Sequence, residues 1–414
     1  MNPSTHHDDR NRVRDLMVLG WSHAGQHAYV ASLGIAIPYV LVAFHTNYAT
    51  VGIMLSVAAI IGSGLQALSM IVRRTSIRVL ITIQNVGSLI GAVIAALAPG
   101  ISVFMAGRLI QSGSGWPQHP VGGAYLANRY ASTRATTLSW HVTAGNLGTL
   151  LAPVIMPSII VAYGWRAAFW ALSILLATTI VVVVFWLPSP WHRLAAPNDT
   201  TTAPIEASFW RRLGTLTRQR PIFALLLAGA IAAGGQGIGI VGVYTPGYLH
   251  SSLHLSALAL TAVLTPLYAG AVVGPILMGS IADRTNHRAI LVANYGLGAL
   301  ALVLFVLIGH GLVGLALVGI AIGIFSYSEL SLRQTVFADY LPPGLSRAAF
   351  GIFFTVSQSI GAVWIAVIGI VVTDAGFRIA FAVMATTFVV AALVVLWGTH
   401  PRASALRTNL QHDT

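Results

Sequence analysis

Twelve long apolar runs follow one another along this chain of 414 residues, and almost no charge interrupts them. Their approximate spans are 16–43, 49–72, 77–98, 101–127, 135–162, 166–188, 221–249, 256–281, 289–309, 312–340, 348–373 and 378–398. Each holds roughly 20 or more residues, enough for a helix to cross about 30 Å of hydrocarbon. The runs are continuous and do not alternate, so helices and not a barrel are predicted. Only 8% of the residues are charged and 56% are hydrophobic, against roughly 25% charged in a soluble protein. A soluble enzyme, a secreted disulfide scaffold and a disordered protein are excluded by that balance.

All 22 basic residues are arginine, and the formal net charge is +12. In a soluble chain this excess would suggest nucleic acid; placed between apolar runs it reads as membrane topology, and no nucleic-acid partner is expected. With the N-terminus inside, the inner loops hold Arg73, Arg74, Arg78, Arg129, Arg134, Arg284, Arg288 and Arg347, and the outer loops only Arg166 and Arg378. Both termini are therefore expected in the cytoplasm, in a plasma (bacterial inner) membrane. The first run exceeds a signal-peptide core and lacks an evident cleavage site, so it reads as a retained span. Cysteine is absent, which rules out disulfides and thiolate metal sites.

The longest connection, 189–220, is rich in Pro, Thr and Ala and then basic, with Phe209, Trp210 and Leu213. It predicts a flexible linker followed by an amphipathic helix. The expected organisation is a tail (1–15), a six-helix bundle (16–188), this linker, a second six-helix bundle (221–398) and a tail (399–414). The halves look duplicated. Gly164-Trp165-Arg166 and Phe169 match Gly376-Phe377-Arg378 and Phe381, Arg134 matches Arg347, and Gly148 and Gly361 follow at the same offset.

Several motifs carry a family resemblance. The loop after the eighth run reads Gly279-Ser280-Ile281-Ala282-Asp283-Arg284-Thr285-Asn286-His287-Arg288. The fourth run holds Arg108, Gln111, Gly113 and Gly115, and the fifth holds Gly145, Asn146, Gly148, Pro153 and Pro157. Together these resemble the major facilitator superfamily. The resemblance implies an all-α polytopic fold of twelve transmembrane helices in two pseudo-symmetric six-helix bundles, working by alternating access. The chain departs from the family pattern in the first half, where Val72 and Asn128 stand at expected acidic positions, and at Ala152, which replaces a glycine of the antiporter motif. Ser22-His23, Gly113-Ser114 and His119-Pro120 resemble the fosmidomycin-resistance type of efflux protein.

A charge inside a span is a functional hypothesis in itself. Glu329 and Arg333 lie four apart in the tenth run, on one helix face. A carboxyl balanced between burial and a guanidinium can take and release a proton near neutral pH; the bland alternative is a static ion pair. Arg108 either binds an anion, tunes coupling or braces a glycine-rich kink. His23, His27, His119 and His141 all fall in the first half. They read as a proton relay, as solute ligands or as packing groups. Imidazoles at i and i+4 can also chelate, but without a carboxylate or thiolate in that half no metal is expected. Gln111, Trp116, Gln118, Trp140, Asn146, Gln236, Tyr244 and Gln358 add polar and aromatic surface for a solute cavity. Asp283, Arg284, Arg288 and Asp339, with Arg134, are expected to form an inner gate.

The resulting expectation is a monomeric, cofactor-free, proton-coupled transporter of a small organic solute in contact with membrane lipid, working as an exporter. The alternative is an uptake symporter or exchanger for a small organic anion, because two arginines against one acid leave the spans net positive. A membrane enzyme would need a nucleophile–base pair, and none is evident; a sensor on the same fold would lack counterflow. No phosphate-binding Gly-Lys loop is possible without lysine, so ATP does not drive this chain directly.

Overall fold

The computed structural model describes residues 3–66, 68, 72, 75–130, 134–187, 214, 217–341 and 346–400. The linker segment expected to be amphipathic, the tail beyond His400 and the side chains of Arg134 and Arg347 lie outside what is described.

Every regular element is helical: α1 (Pro3–Ala43), α2 (Tyr48–Leu65), α3 (Ile77–Leu97), α4 (Ile101–Ser114), α5 (Gly123–Arg129), α6 (Arg134–Tyr163), α7 (Trp165–Trp186), α8 (Arg220–Ala232), α9 (Gly242–Gly247), α10 (Ala257–Asp283), α11 (His287–Leu307), α12 (Leu312–Asp339) and α13 (Ser346–Gly398). The polar stretch expected as a tail is largely helical, since α1 begins at Pro3. Side chains start two of the helices. Asn47 accepts from the Thr50 amide at 2.9 Å, and Asn286 accepts from the Ala289 amide at 3.0 Å.

Ten of the described helices are long and apolar enough to cross a membrane, where the runs predict twelve. Two local breaks account for the difference. The run 101–127 divides at a π-helical turn, Gln118–Gly122, around Pro117 and Pro120. The last two runs join in α13, whose only non-helical residue is Gly376. Large apolar side chains such as Ile174, Phe185, Leu258, Leu307 and Val313 stay exposed; water would penalise such surface and lipid accepts it.

The duplication has a backbone signature. Gly164 has φ 84° and ψ 163°, and Gly376 has φ 81° and ψ 170°. That region is essentially closed to residues with a Cβ. Gly164→Ala and Gly376→Ala are each expected to lose ~1–3 kcal/mol of stability by backbone strain alone. Thermal melts of the purified variants check this; unchanged melting temperatures in both would refute the strain.

The chain divides into two compact units: Met1–Thr200 with Val243–Thr261, and Thr201–Gly242 with Ala262–Thr414. The seventh run is interrupted by a 3-10 turn (Ala233–Gly235) and a π turn (Gly237–Val241), and the segment after that break groups with the first unit. There the Tyr39 and His250 rings lie 4.4 Å apart, and the Thr261 hydroxyl donates to the Pro153 carbonyl at 2.9 Å. The first unit also holds an apolar cluster of Val18, Leu19, Leu80, Ile81, Leu126 and Val183. It packs α1, α3, α5 and α7 together.

Candidate functional site

In the second unit, polar groups converge on Glu329 of α12. Its Oε1 accepts from Arg333 Nε at 2.6 Å and from the Tyr295 hydroxyl at 2.9 Å. Its Oε2 accepts from Gln236 Nε2 at 3.4 Å. Glu329 and Arg333 are both almost fully buried. The guanidinium also donates from Nη1 to Ser357 Oγ at 3.1 Å and lies 4.4 Å from the centre of the Phe353 ring. Gly229 on α8 makes the space: a Cβ there would collide with the Arg333 guanidinium. The carboxylate thus accepts from a cation, a phenol and an amide at once.

The first unit holds a different cluster. The His23 ring meets those of His27 (centroids 4.5 Å), His119 (5.0 Å) and His141 (4.4 Å, stacked). His23 Nδ1 lies 2.9 Å from the His141 carbonyl, and His27 Nδ1 lies 3.1 Å from Thr149 Oγ1. Beside the rings runs a buried amide and hydroxyl network. Gln84 Nε2 donates to Gln118 Oε1 at 2.6 Å, Ser22 Oγ donates to Asn85 Oδ1 at 2.9 Å, and Gln118 Nε2 lies 3.4 Å from His141 Nε2.

Arg108 of α4 hydrogen-bonds Gln111 Oε1 through Nη1, and its buried Nε has no partner. Among the described residues no carboxylate pairs with it. Gln111, Asn146 and Tyr244 are buried; Trp140 and Gln358 are exposed, and among the described residues no hydrogen bond ties them to either cluster. Trp116 is half-buried and packs against the apolar cluster.

Several gate residues make defined contacts. Asp339 accepts from His287 Nδ1 at 2.8 Å, and Asp283 lies 3.7 Å from His287 Nε2. Arg288 donates to Thr399 Oγ1 at 2.8 Å and to the Leu396 carbonyl at 3.1 Å, while Arg284 is exposed. The first unit holds a buried acid of its own. Asp15, read from sequence as the end of a tail, is fully buried. It accepts from the Tyr125 hydroxyl at 2.6 Å and stands 3.8 Å from Arg129 Nε.

Sequence reasoning found both charges of the Glu329 pair and all four histidines. It missed Tyr295, Ser357, Gln84, Asn85, Asp15 and the role of His287. Gln84, Asn85 and Tyr295 carried a signal, as polar groups inside apolar runs. Asp15 carried none, because charge near a chain end is ordinary.

Titratable and polar groups lie buried among helices long and apolar enough to cross a membrane, the pattern of a multi-pass membrane protein. The chain belongs to the Major Facilitator Superfamily, whose family model matches residues 21–366. It is 25% identical over 282 residues to the cis,cis-muconate transport protein of Acinetobacter baylyi, covering 65% of this chain and 64% of that one. It is 27% identical over 171 residues to a triacylglyceride transporter of Mycobacteroides abscessus, covering 41% and 28%. The aligned part thus spans less than two thirds of either relative. Among solved structures, a point mutant of the nucleoside transporter NupG superposes with a TM-score of 0.76 at 16% identity, over 94% of this chain and all of that one. A bacterial homologue of the human lysosomal transporter Spinster gives 0.71 at 15%, over 94% and 95%. These likenesses establish the fold.

Proposed function

We propose that this chain is a proton-coupled secondary transporter of a small organic anion. The observation that carries the reading is Arg108. A guanidinium within apolar helices requires a partner, and among the described residues it has one neutral amide and no acid. A solute carboxylate supplies the missing charge in a bidentate geometry that suits arginine. The similarity to a muconate transport protein supports the same solute class.

Glu329 is the proton site in this reading, with Arg333, Tyr295 and Gln236 setting the balance between its charged and neutral forms. The contacts of Asp283, His287 and Asp339, and those of Asp15, Tyr125 and Arg129, serve as latches at the arginine-rich face. The arginine distribution supports a cytoplasmic position for that face and both termini. Export by antiport is the second reading. It is favoured by 30% identity over 100 residues to the MFS antiporter QDR3 of Candida albicans, covering 24% of this chain and 14% of that protein.

The test is solute flux in proteoliposomes under pH gradients of either polarity. Carboxylates are expected to move with the gradient and to stop when a protonophore collapses it. Flux that ignores the gradient, or that neutral and cationic compounds inhibit while carboxylates do not, would overturn the reading. The polarity that drives accumulation separates symport from antiport.

A further inference from the structure

The expectation against a metal rested on the absence of acids and thiols near His23 and His27. Folding supplies a third imidazole. The π turn after α4 aims His119 at the same point, and the ligand nitrogens of His23, His27 and His119 all lie within 4.8 Å of one another. π turns inserted in helices frequently mark functional positions.

The hydrogen bonds around these rings matter more than their proximity. His23 Nδ1 sits 2.9 Å from the His141 carbonyl, which can only accept. His23 Nδ1 therefore carries the hydrogen, and in the neutral ring Nε2 presents a bare lone pair. That Nε2 is buried and has no hydrogen-bond partner. His27 Nδ1 lies 3.1 Å from Thr149 Oγ1, and when that hydroxyl accepts, the lone pair of the neutral ring stands on Nε2. A ring held by a backbone carbonyl or hydroxyl at one nitrogen, with the other free, is the arrangement that metal-binding histidines adopt.

We propose that His23, His27 and His119 form a three-imidazole site for a divalent transition-metal ion of the zinc class. Imidazole without carboxylate or thiolate suits zinc, copper and nickel over magnesium or calcium. Nitrogens bound at about 2.1 Å in a tetrahedron lie about 3.4 Å apart. Binding would draw exposed His119 towards His23 and His27, whose rings are held by the His141 carbonyl and Thr149. His119 is the most exposed of the three. Three protein ligands leave a fourth position for water or for an oxygen of a solute. This inference stands apart from the proton and anion assignments.

The experiment uses the full chain in detergent, without an affinity tag. His6 and His7 are replaced by alanine so that the adjacent tail imidazoles do not chelate. Zn²⁺ is titrated in competition with a chromophoric chelator, and Co²⁺ serves as a spectroscopic probe. One Zn²⁺ per chain is expected, with visible Co²⁺ bands of the intensity that tetrahedral coordination gives. Thr149→Val, which frees the His27 ring, should weaken binding by about 10-fold, and His27→Ala by more than about 100-fold. His119→Ala removes an exposed ligand, so its elution profile and melting temperature should match the parent while binding is lost. Absence of stoichiometric binding would overturn the proposal. So would binding that survives in both His27→Ala and His119→Ala.

Discussion

Glu329→Gln is expected to abolish proton-driven accumulation while leaving solute exchange measurable. The substitution keeps the shape of the side chain and removes the carboxyl of the second unit's buried cluster. Exchange of labelled for unlabelled solute needs no net proton movement, so it persists. A pH gradient then no longer concentrates the solute. Stability changes too. Arg333 cannot give up its charge, and it would be left buried beside a neutral amide. Removing one partner of a buried pair costs about 3–5 kcal/mol. Glu329→Gln combined with Arg333→Gln removes both charges, and should recover most of that loss without recovering accumulation. The pair of measurements separates the roles. If Glu329→Gln still accumulates solute under a pH gradient, the carboxyl is only a structural partner of Arg333.

Arg108→Gln is expected to behave in the opposite way. No carboxylate among the described residues is orphaned by the change, so the melting temperature should hold or rise slightly. Binding should suffer instead. A charge-assisted hydrogen bond contributes about 1.5–3 kcal/mol, which corresponds to roughly a 10- to 150-fold loss of carboxylate affinity. Arg108→Lys keeps the charge but not the planar fork, and should fall between the two. Isothermal titration with a carboxylate series measures the loss, and a neutral isosteric amide serves as control. If Arg108→Gln weakens the amide and the carboxylate equally, the guanidinium braces the helix and does not select charge. The contrast between Glu329 and Arg108 is diagnostic. One variant loses stability and coupling together, and the other loses affinity alone.

Particular elements show how far the sequence reached. The Glu329–Arg333 pair was legible because four residues on a helix are one turn, a spacing that no tertiary contact alters. The pairing of Gly164 with Gly376 was legible as a repeated motif, and the shared backbone angles give it a physical cause. The count of spans was less legible. Proline and glycine divide the run 101–127, and a single glycine leaves two runs joined in α13. Hydrophobicity alone does not register such breaks. His287, which the inner-gate expectation did not include, donates to Asp339 at 2.8 Å. The seventh run breaks at Ala233–Gly235 and Gly237–Val241, and the segment Val243–Thr261 groups with the first unit, which the continuous apolar run did not register.

The sequence by itself determined that this chain crosses a membrane many times as helices, with a duplicated plan and very few buried charges. Inside a bilayer every backbone group must be satisfied within its own segment, so local composition is sufficient to dictate the element. Only the tertiary structure decided which side chains meet. His23 reaches the carbonyl of His141 across 118 residues, Asp15 reaches Tyr125 across 110, and Glu329 reaches Tyr295 across 34. Helix packing and the π turn set those encounters, and no period along the chain encodes them.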